Sequence, residues 1–469
     1  MRHALVVALL LVGTSAHAFC GFFVAGSSKD LASDASKVVL MRKGNRTVLT
    51  MSNNYKGPAA SFAMVVPVPV VLKKEEVKTL PADVFSHIDR LSAPRLVEYW
   101  EQDPCAPPRM YDKGGGGKMP GSSANAPVEK GSTGVKVEAR FSVGEYDIVI
   151  LSAKEANGLE TWLQQNHYSI PAGAAEALAP YVKSQQKFFV AKVDITKVKK
   201  DANGTVVLSP LRFHYDAAEL RLPVRLGLLN AKGKQDLIVY VLSPDQRYEA
   251  ANYPNVFVPT NLEVVDDIRK KFASFYTQLF DATMAKHANR AVVTEYAWQT
   301  SSCDPCPVPP LQASDLATLG DDVLSGNTAK AGVADSGDYY GNASSWVLTR
   351  LHTRYAKETL SEDLVFRAAR PIVGGRAGSD TKALEAPGEA KPDSTNNFQA
   401  RYIIRHAWTG KVTCAKPERG TWGGPTDGSA PVQAAQDLAS APRVGLDLKK
   451  VVRSRLGALD LPGIADSKR

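Results

Sequence analysis

Residues 1–18 carry the three zones of a secretory signal. Arg2 and His3 give a basic start, residues 4–12 an unbroken apolar run, and Ala16-His17-Ala18 small residues at the two positions a signal peptidase reads. That run is too short to cross a hydrocarbon core of ~30 Å, which takes ~20 residues as a helix. The segment is therefore predicted to be cleaved after Ala18, not to anchor the chain. Export constrains everything downstream, because the chain from Phe19 onward must fold in a periplasmic or extracellular setting where disulfides persist. Cys20 does not complete a lipobox: His17, Ala18 and Phe19 precede it, where a large aliphatic residue and small ones are required. An unlipidated N-terminus is expected.

No later segment reads as a membrane span. The most apolar stretch, 62–72, is short and interrupted by Pro67 and Pro69. After cleavage about 450 residues remain, room for two or three domains of ~150 residues. The formal net charge of +9 falls to +8 when Arg2 leaves, and the surplus is scattered. Without a basic stripe nucleic acid is not expected. Anionic envelope polymers or lipid head groups are the partners such a surface attracts weakly. No cofactor and no metal are implied. All five cysteines, Cys20, Cys105, Cys303, Cys306 and Cys414, are disulfide candidates. Their odd number allows two bridges and one leftover thiol, in fifteen arrangements.

Hydrophobic patterning predicts an α+β fold of two or three β-rich modules with flanking helices. In the first, 19–105, residues 37–42 and 47–51 read as strands joined by Lys43-Gly44-Asn45. Residues 62–66 read as a third strand that ends, or lies on an edge, at Pro67. Val84, Phe85, Ile88 and Leu91 mark an amphipathic helix after Pro81, and 94–100 a second helical piece. Residues 106–134, with glycines at 114–117, form a flexible linker. The central module, 135–300, opens with strands at 135–141 and 146–151, then helices at 154–165 and from Pro171. Strands follow at 188–195, at 205–208 after the Asn203-Gly204 turn, at 220–229 and at 237–242, and a long helix at 266–286 closes the module. The C-terminal β-rich region, 301–415, holds strands at 345–355 and 400–408 and a disordered loop at 378–397. The tail, 416–469, is expected to be poorly ordered apart from a short helix near 448–456. No fixed-period repeat supports a solenoid or propeller.

Several stretches together resemble a family of exported bacterial proteins known only as a domain of unknown function. They are Phe19-Cys20-Gly21-Phe22 at the mature start, Val65-Val66-Pro67-Val68-Pro69, Ala93-Pro94-Arg95-Leu96-Val97-Glu98-Tyr99, Tyr146-Asp147-Ile148-Val149-Ile150-Leu151 and Cys303-Asp304-Pro305-Cys306. The resemblance runs to about Cys414, leaving out the two flexible stretches. It implies an envelope or secreted location and transfers no catalytic residue.

Cys303-Asp304-Pro305-Cys306 is the one motif with chemistry of its own. A CxxC pair can shuttle between dithiol and disulfide when a helix N-terminus lowers one thiol's pKa. Here Pro307, Pro309 and Pro310 oppose a helix at the motif, so a structural disulfide is favoured. A zinc site adding His406 and Cys414 has no familiar finger spacing. Asp83 and His87, four apart on the first helix, read as a solvated pair. His214 and Arg212 read as the polar face of a strand. Ser379-Asp380-Thr381-Lys382 matches Ser-x-x-Lys by chance inside a loop, and no Gly-x-Ser-x-Gly elbow or phosphate loop occurs. With no catalytic residue identified, the leading reading is a non-catalytic binding or structural protein of the cell envelope. A hydrolase with a site between modules and a thiol-disulfide oxidoreductase using Cys303 and Cys306 are the alternatives.

Overall fold

The computed structural model describes residues 22–25, 36–52, 62–105, 135–200, 206–230, 233–325, 346–375, 388, 390–424, 432–434 and 445–453. The signal, Cys20, the linker 106–134, the Asn203-Gly204 turn and Ser379 to Lys382 lie outside them.

Ser36–Lys43 and Arg46–Ser52 form the expected hairpin, with Gly44 at φ +57° in its turn, a conformation that suits a residue without Cβ. This hairpin does not found a module of its own. It sits in an eleven-stranded sheet that takes strands from all three expected modules. Ser36–Lys43 pairs in parallel with Gln235–Pro244, which pairs antiparallel with Trp346–Tyr355, which in turn pairs with Val292–Gln299. The three stretches are therefore one body, with sequence-distant strands side by side.

Alternation along these strands feeds two cores. Val38, Leu40, Leu237, Val239 and Val241 face a five-stranded antiparallel sheet and pack on its Phe62, Met64, Ile148, Ile150 and Phe189. Val39, Met41, Ile238, Tyr240 and Leu242 face the opposite way and meet the helix Asp83–Ser92 through Val84, Phe85, Ile88 and Leu91. The helices Ala156–Gln165 and Ala174–Lys183 cover the outer face of the five-stranded sheet. With both faces covered, Gln235–Pro244 is buried along almost its whole length. Each fully buried Val, Leu, Ile or Phe stabilises such a core by about 1.5–3 kcal/mol.

A further sheet closes the molecule and carries several corrections. Residues 94–100 are not helical: Arg95–Glu101 is a strand, paired in parallel with Arg401–His406. Its Val97, Tyr99 and Trp100 favour a pleated surface, and tertiary pairing decides the outcome. Parts of the tail take regular structure. Trp422–Gly423 and Val432–Ala434 pair with Arg95–Glu101, and Leu448–Val451 is a single helical turn whose Leu448 joins the core around Phe272–Lys286. The Glu101 carboxylate accepts the amides of Trp408 and Gly420 and the Arg419 guanidinium, which fastens the segment after Arg401–His406. Within the loop expected at 378–397, Lys391–Pro392 pairs with Ile372–Gly374, and Asn397 opens another strand.

Three smaller departures have local causes. Phe62–Val68 does not end at Pro67: the strand runs on to Val68 with Pro67 opposite Phe188, and Phe22–Ala25 flanks its other side from Phe62 to Val65. The strand at 220–229 stops at Leu222, where Pro223 removes a donor and Arg225–Asn230 turns as a 3₁₀ helix. The long helix begins at Phe272, after a 3₁₀ turn at Asp266–Lys270.

Two disulfides form, Cys105–Cys414 and Cys303–Cys306, with sequence separations of 309 and 3. The chain-entropy model assigns about 5–6 kcal/mol to the long closure and about 2 kcal/mol to the four-residue ring, as ceilings that measured values seldom reach. Replacing Cys105 and Cys414 with serine should therefore lower the denaturant midpoint far more than replacing Cys303 and Cys306. Equal midpoints for the two double variants, or the reverse order, would contradict this ranking.

Candidate functional site

The polar heart of the molecule lies on one face of Trp346–Tyr355. Every residue of this strand is buried, and its period of two puts Arg350, His352 and Arg354 on the same side. Opposite them in register stand Tyr240, Ile238 and Asp236. On the other flank, Val292–Gln299 shifts register between Thr294 and Tyr296, leaving Glu295 as the extra residue of a bulge. The Glu295 carboxylate then lies between Arg350 (Nε to Oε2, 2.6 Å) and His352 (Nδ1 to Oε1, 2.7 Å).

The contacts continue in both directions with alternating sign. Lys37 meets Asp89 at 2.6 Å, and Asp89 meets Arg350 at 2.5 Å. Beyond Glu295, His352 reaches Asp236 at 3.0 Å, Asp236 meets Arg354 at 2.8 Å, and Arg354 ends the series on Asp281. Tyr240 donates to Asp89 and Tyr276 to Glu295, each at 2.6 Å. The His352 ring stacks on Phe280 with centroids 4.1 Å apart. Four basic and four acidic side chains thus form one line through the protein. Glu295 is 0 % exposed and His352 and Arg350 1 % each, while the line surfaces at Lys37 and Asp281.

This geometry fixes the protonation of His352. Both ring nitrogens face carboxylates, so both must donate, which requires the imidazolium. Burial alone would lower its pKa, but the charges of Glu295 and Asp236 and their hydrogen bonds outweigh burial and raise it. Glu295 is the mirror case. Burial favours its neutral form, yet His352 and Arg350 bring it down to about 2. Asp236 and Asp89 are held low in the same way against burial, by His352 and Arg354 and by Arg350 and Lys37. The line is electrically neutral only with His352 charged. Chemically it can hold strands in register and respond to pH, and its interior members are closed to any substrate.

The cysteine loop is the second arrangement. Val292–Gln299 leads into it, Cys303 is half-buried and Cys306 exposed. Beneath the ring lies Arg95, 0 % exposed. Its guanidinium donates to the carbonyls of Pro305 at 2.6 Å and Leu91 at 2.5 Å, and Gln399 donates to that of Asp304. Arg401 stands beside Arg95 in register. Burial brings Arg95 down to about 10, leaving it a cation at neutral pH. Residues 307–312 run without a helix, and the next one starts at Ala313.

The remaining sequence candidates fall elsewhere. His87 turns away from Asp83 to the Pro309 carbonyl at 2.8 Å and Asp315 at 3.6 Å. Arg212 is not on a solvated face. It is buried, clamping Asp322 at 2.6 and 2.8 Å and the carbonyls of Ala317 and Thr318, while His214 is half-buried and burial lowers its pKa. His406 stacks on Trp100 and contacts Glu98 at 2.7 Å, and Cys414 is bound to Cys105, which takes apart the zinc grouping with the CxxC pair. A recess of about 140 Å³ opens between Pro67, Pro69, Phe213 and Tyr215, where Glu219 is paired with Arg221 at 2.6 Å. Sequence reasoning missed Glu295, Asp236, Asp89 and Arg350. Arg350-Leu351-His352-Thr353-Arg354 alternates like a half-exposed strand, so its cations read as a solvent face.

Two measurements test the ionic line. Arg350→Leu strands two buried carboxylates and should cost about 3–5 kcal/mol in denaturant unfolding; a loss below about 1 kcal/mol would show the line is not needed for stability. The pH dependence follows from the raised pKa of His352. Between the unfolded value of about 6.5 and the folded one the native state binds the extra proton, so this stability is complete below 6.5 and fades as pH rises through the folded pKa. His352→Gln should flatten that alkaline slope; an unchanged slope would assign it to other groups.

A family model described as an uncharacterised protein conserved in bacteria, DUF2330, matches residues 14–367. The match takes in the whole ionic line, Arg95 and the Cys303–Cys306 loop. It stops short of Arg401 and of Cys414, to which the sequence resemblance had been expected to run. No curated protein and no solved structure matches the chain. By this match over well more than half its length, the chain belongs to the DUF2330 family of bacterial proteins.

Proposed function

We propose that the chain is an exported component of the bacterial cell envelope, released from its signal after Ala18, with a structural or binding role and no catalytic one. The observation that carries this reading is the ionic line. The buried acids Asp89, Asp236 and Glu295, all held low by neighbouring cations, lie inside a closed core, an arrangement that builds a rigid body. A catalytic acid or base would instead meet a cleft. Two disulfides fit an oxidising compartment. The mature surplus of +8 would draw the surface toward anionic envelope polymers or lipid head groups.

The experiment is fractionation of a bacterium producing the full chain, followed by intact-mass measurement and cosedimentation. The recovered protein should begin at Phe19, carry no acyl chain on Cys20, and sediment with anionic vesicles at low salt. It should be released at about 1 M salt, where screening shortens to about 3 Å. Retention of residues 1–18 in the cytoplasm would sink the export reading, and salt-independent behaviour would remove the electrostatic partner.

A further inference from the structure

We propose that Cys303–Cys306 is an exchange-competent disulfide that accepts electrons from dithiol partners, with Cys306 as the sulfur attacked. The inference does not depend on the envelope role; it adds to it a stoichiometric redox exchange, not a catalytic cycle.

The first ground is that the loop does not need the bond. Thr300 donates its amide to the Trp346 carbonyl at 2.9 Å, and Leu311 donates to Thr300 at 3.1 Å, so backbone hydrogen bonds close the loop at its root. Trp298 Nε1 meets Ser302 Oγ at 3.1 Å, and His87 holds the Pro309 carbonyl. Arg95 and Gln399 clamp the carbonyls of Pro305 and Asp304, inside the ring itself. A four-residue ring also removes little entropy from the unfolded chain. None of these contacts is made by a cysteine sulfur.

The second ground is that the two sulfurs differ. Cys306 is exposed, whereas Cys303 packs against the core around Trp298 and Leu311. An attacking thiolate reaches Cys306 first, and Cys303 is the leaving sulfur.

The third ground is charge. A thiolate forms more readily beside a cation, and a leaving thiol of lower pKa departs faster. The sequence offers no helix N-terminus for this purpose. The fold supplies the buried guanidinium of Arg95 under the ring, with Arg401 next to it and Asp304 as the opposing charge.

A thiolate of the partner dithiol bonds to Cys306 Sγ, the Cys303–Cys306 bond breaks, and its electron pair remains on Cys303 Sγ. The partner's second thiolate then attacks its own sulfur in the mixed disulfide and releases Cys306. The partner dithiol is oxidised to a disulfide, while Cys303 and Cys306 gain two electrons and the two protons that the partner gives up.

The test equilibrates the purified mature protein with graded mixtures of reduced and oxidised glutathione, followed by alkylation and peptide mass analysis. Cys303 and Cys306 should become alkylated while Cys105–Cys414 stays closed and the circular dichroism is unchanged, with opening faster than the long bridge by about tenfold or more. Opening of both bridges together, or only with loss of the fold, would overturn the proposal. The polarity is read by acid quenching during reduction with reduced glutathione: the glutathionyl mixed disulfide should sit on Cys306, with Cys303 the free thiol, about tenfold over the reverse. Equal or reversed amounts would overturn the assignment of the attacked sulfur.

Discussion

A carboxylate with no exposed surface, Glu295, is tolerable only because Arg350 and a protonated His352 flank it and Tyr276 donates to it. Taking such a charge out of water costs several kcal/mol, and removal of either partner would leave that cost uncompensated. The requirement spreads outward. Arg350 needs Asp89, His352 needs Asp236, and Arg354 needs Asp281, until solvent takes over at Lys37 and Asp281. These residues come from the helix Asp83–Ser92, from Phe272–Lys286 and from four strands of the large sheet. One neutrality condition therefore fixes how elements far apart in sequence are seated against each other. Sliding Trp346–Tyr355 by one residue would turn Arg350, His352 and Arg354 to the apolar side.

Local features were readable where the chain folds against itself nearby. Lys43-Gly44-Asn45 announced the first hairpin, and Val84, Phe85, Ile88 and Leu91 the helix that covers its sheet. The module boundaries were not readable, because Ser36–Lys43 finds its parallel partner in Gln235–Pro244, with no turn signal between to record the pairing. Arg95–Glu101 is strand for the same reason, its partner being Arg401–His406. The ionic line escaped notice because polarity in a strand reads as exposure. Val292–Gln299 shows why that reading fails: hydrophobic residues and Glu295 alike are buried there, and only the bulge separates their roles.

The cysteines show the same division between composition and geometry. Their number allowed fifteen pairings, and spacing alone drew attention to the CxxC motif. In the fold the weight of stabilisation moves to Cys105–Cys414, which joins the exit of Arg95–Glu101 to the segment after Arg401–His406. Proline placement correctly denied the CxxC loop a helix. The cation beneath it arrives from Arg95, two hundred residues upstream, where no sequence window would look.

The parallel pairing of Ser36–Lys43 with Gln235–Pro244, backed by Trp346–Tyr355, bears on the order in which the molecule can be assembled. A chain made from its N-terminus lacks Trp346–Tyr355, the strand that backs this pairing, until some three-quarters of it has emerged. Until then Glu295 and Asp236 lack the cations Arg350, His352 and Arg354, and Asp89 has Lys37 alone. Contacts this distant make folding slow, since loop closure must precede its reward. The five-stranded sheet and its two helices, by contrast, have all their strands once Val193 has appeared. In this order of appearance the buried charges are among the last parts of the core to be neutralised.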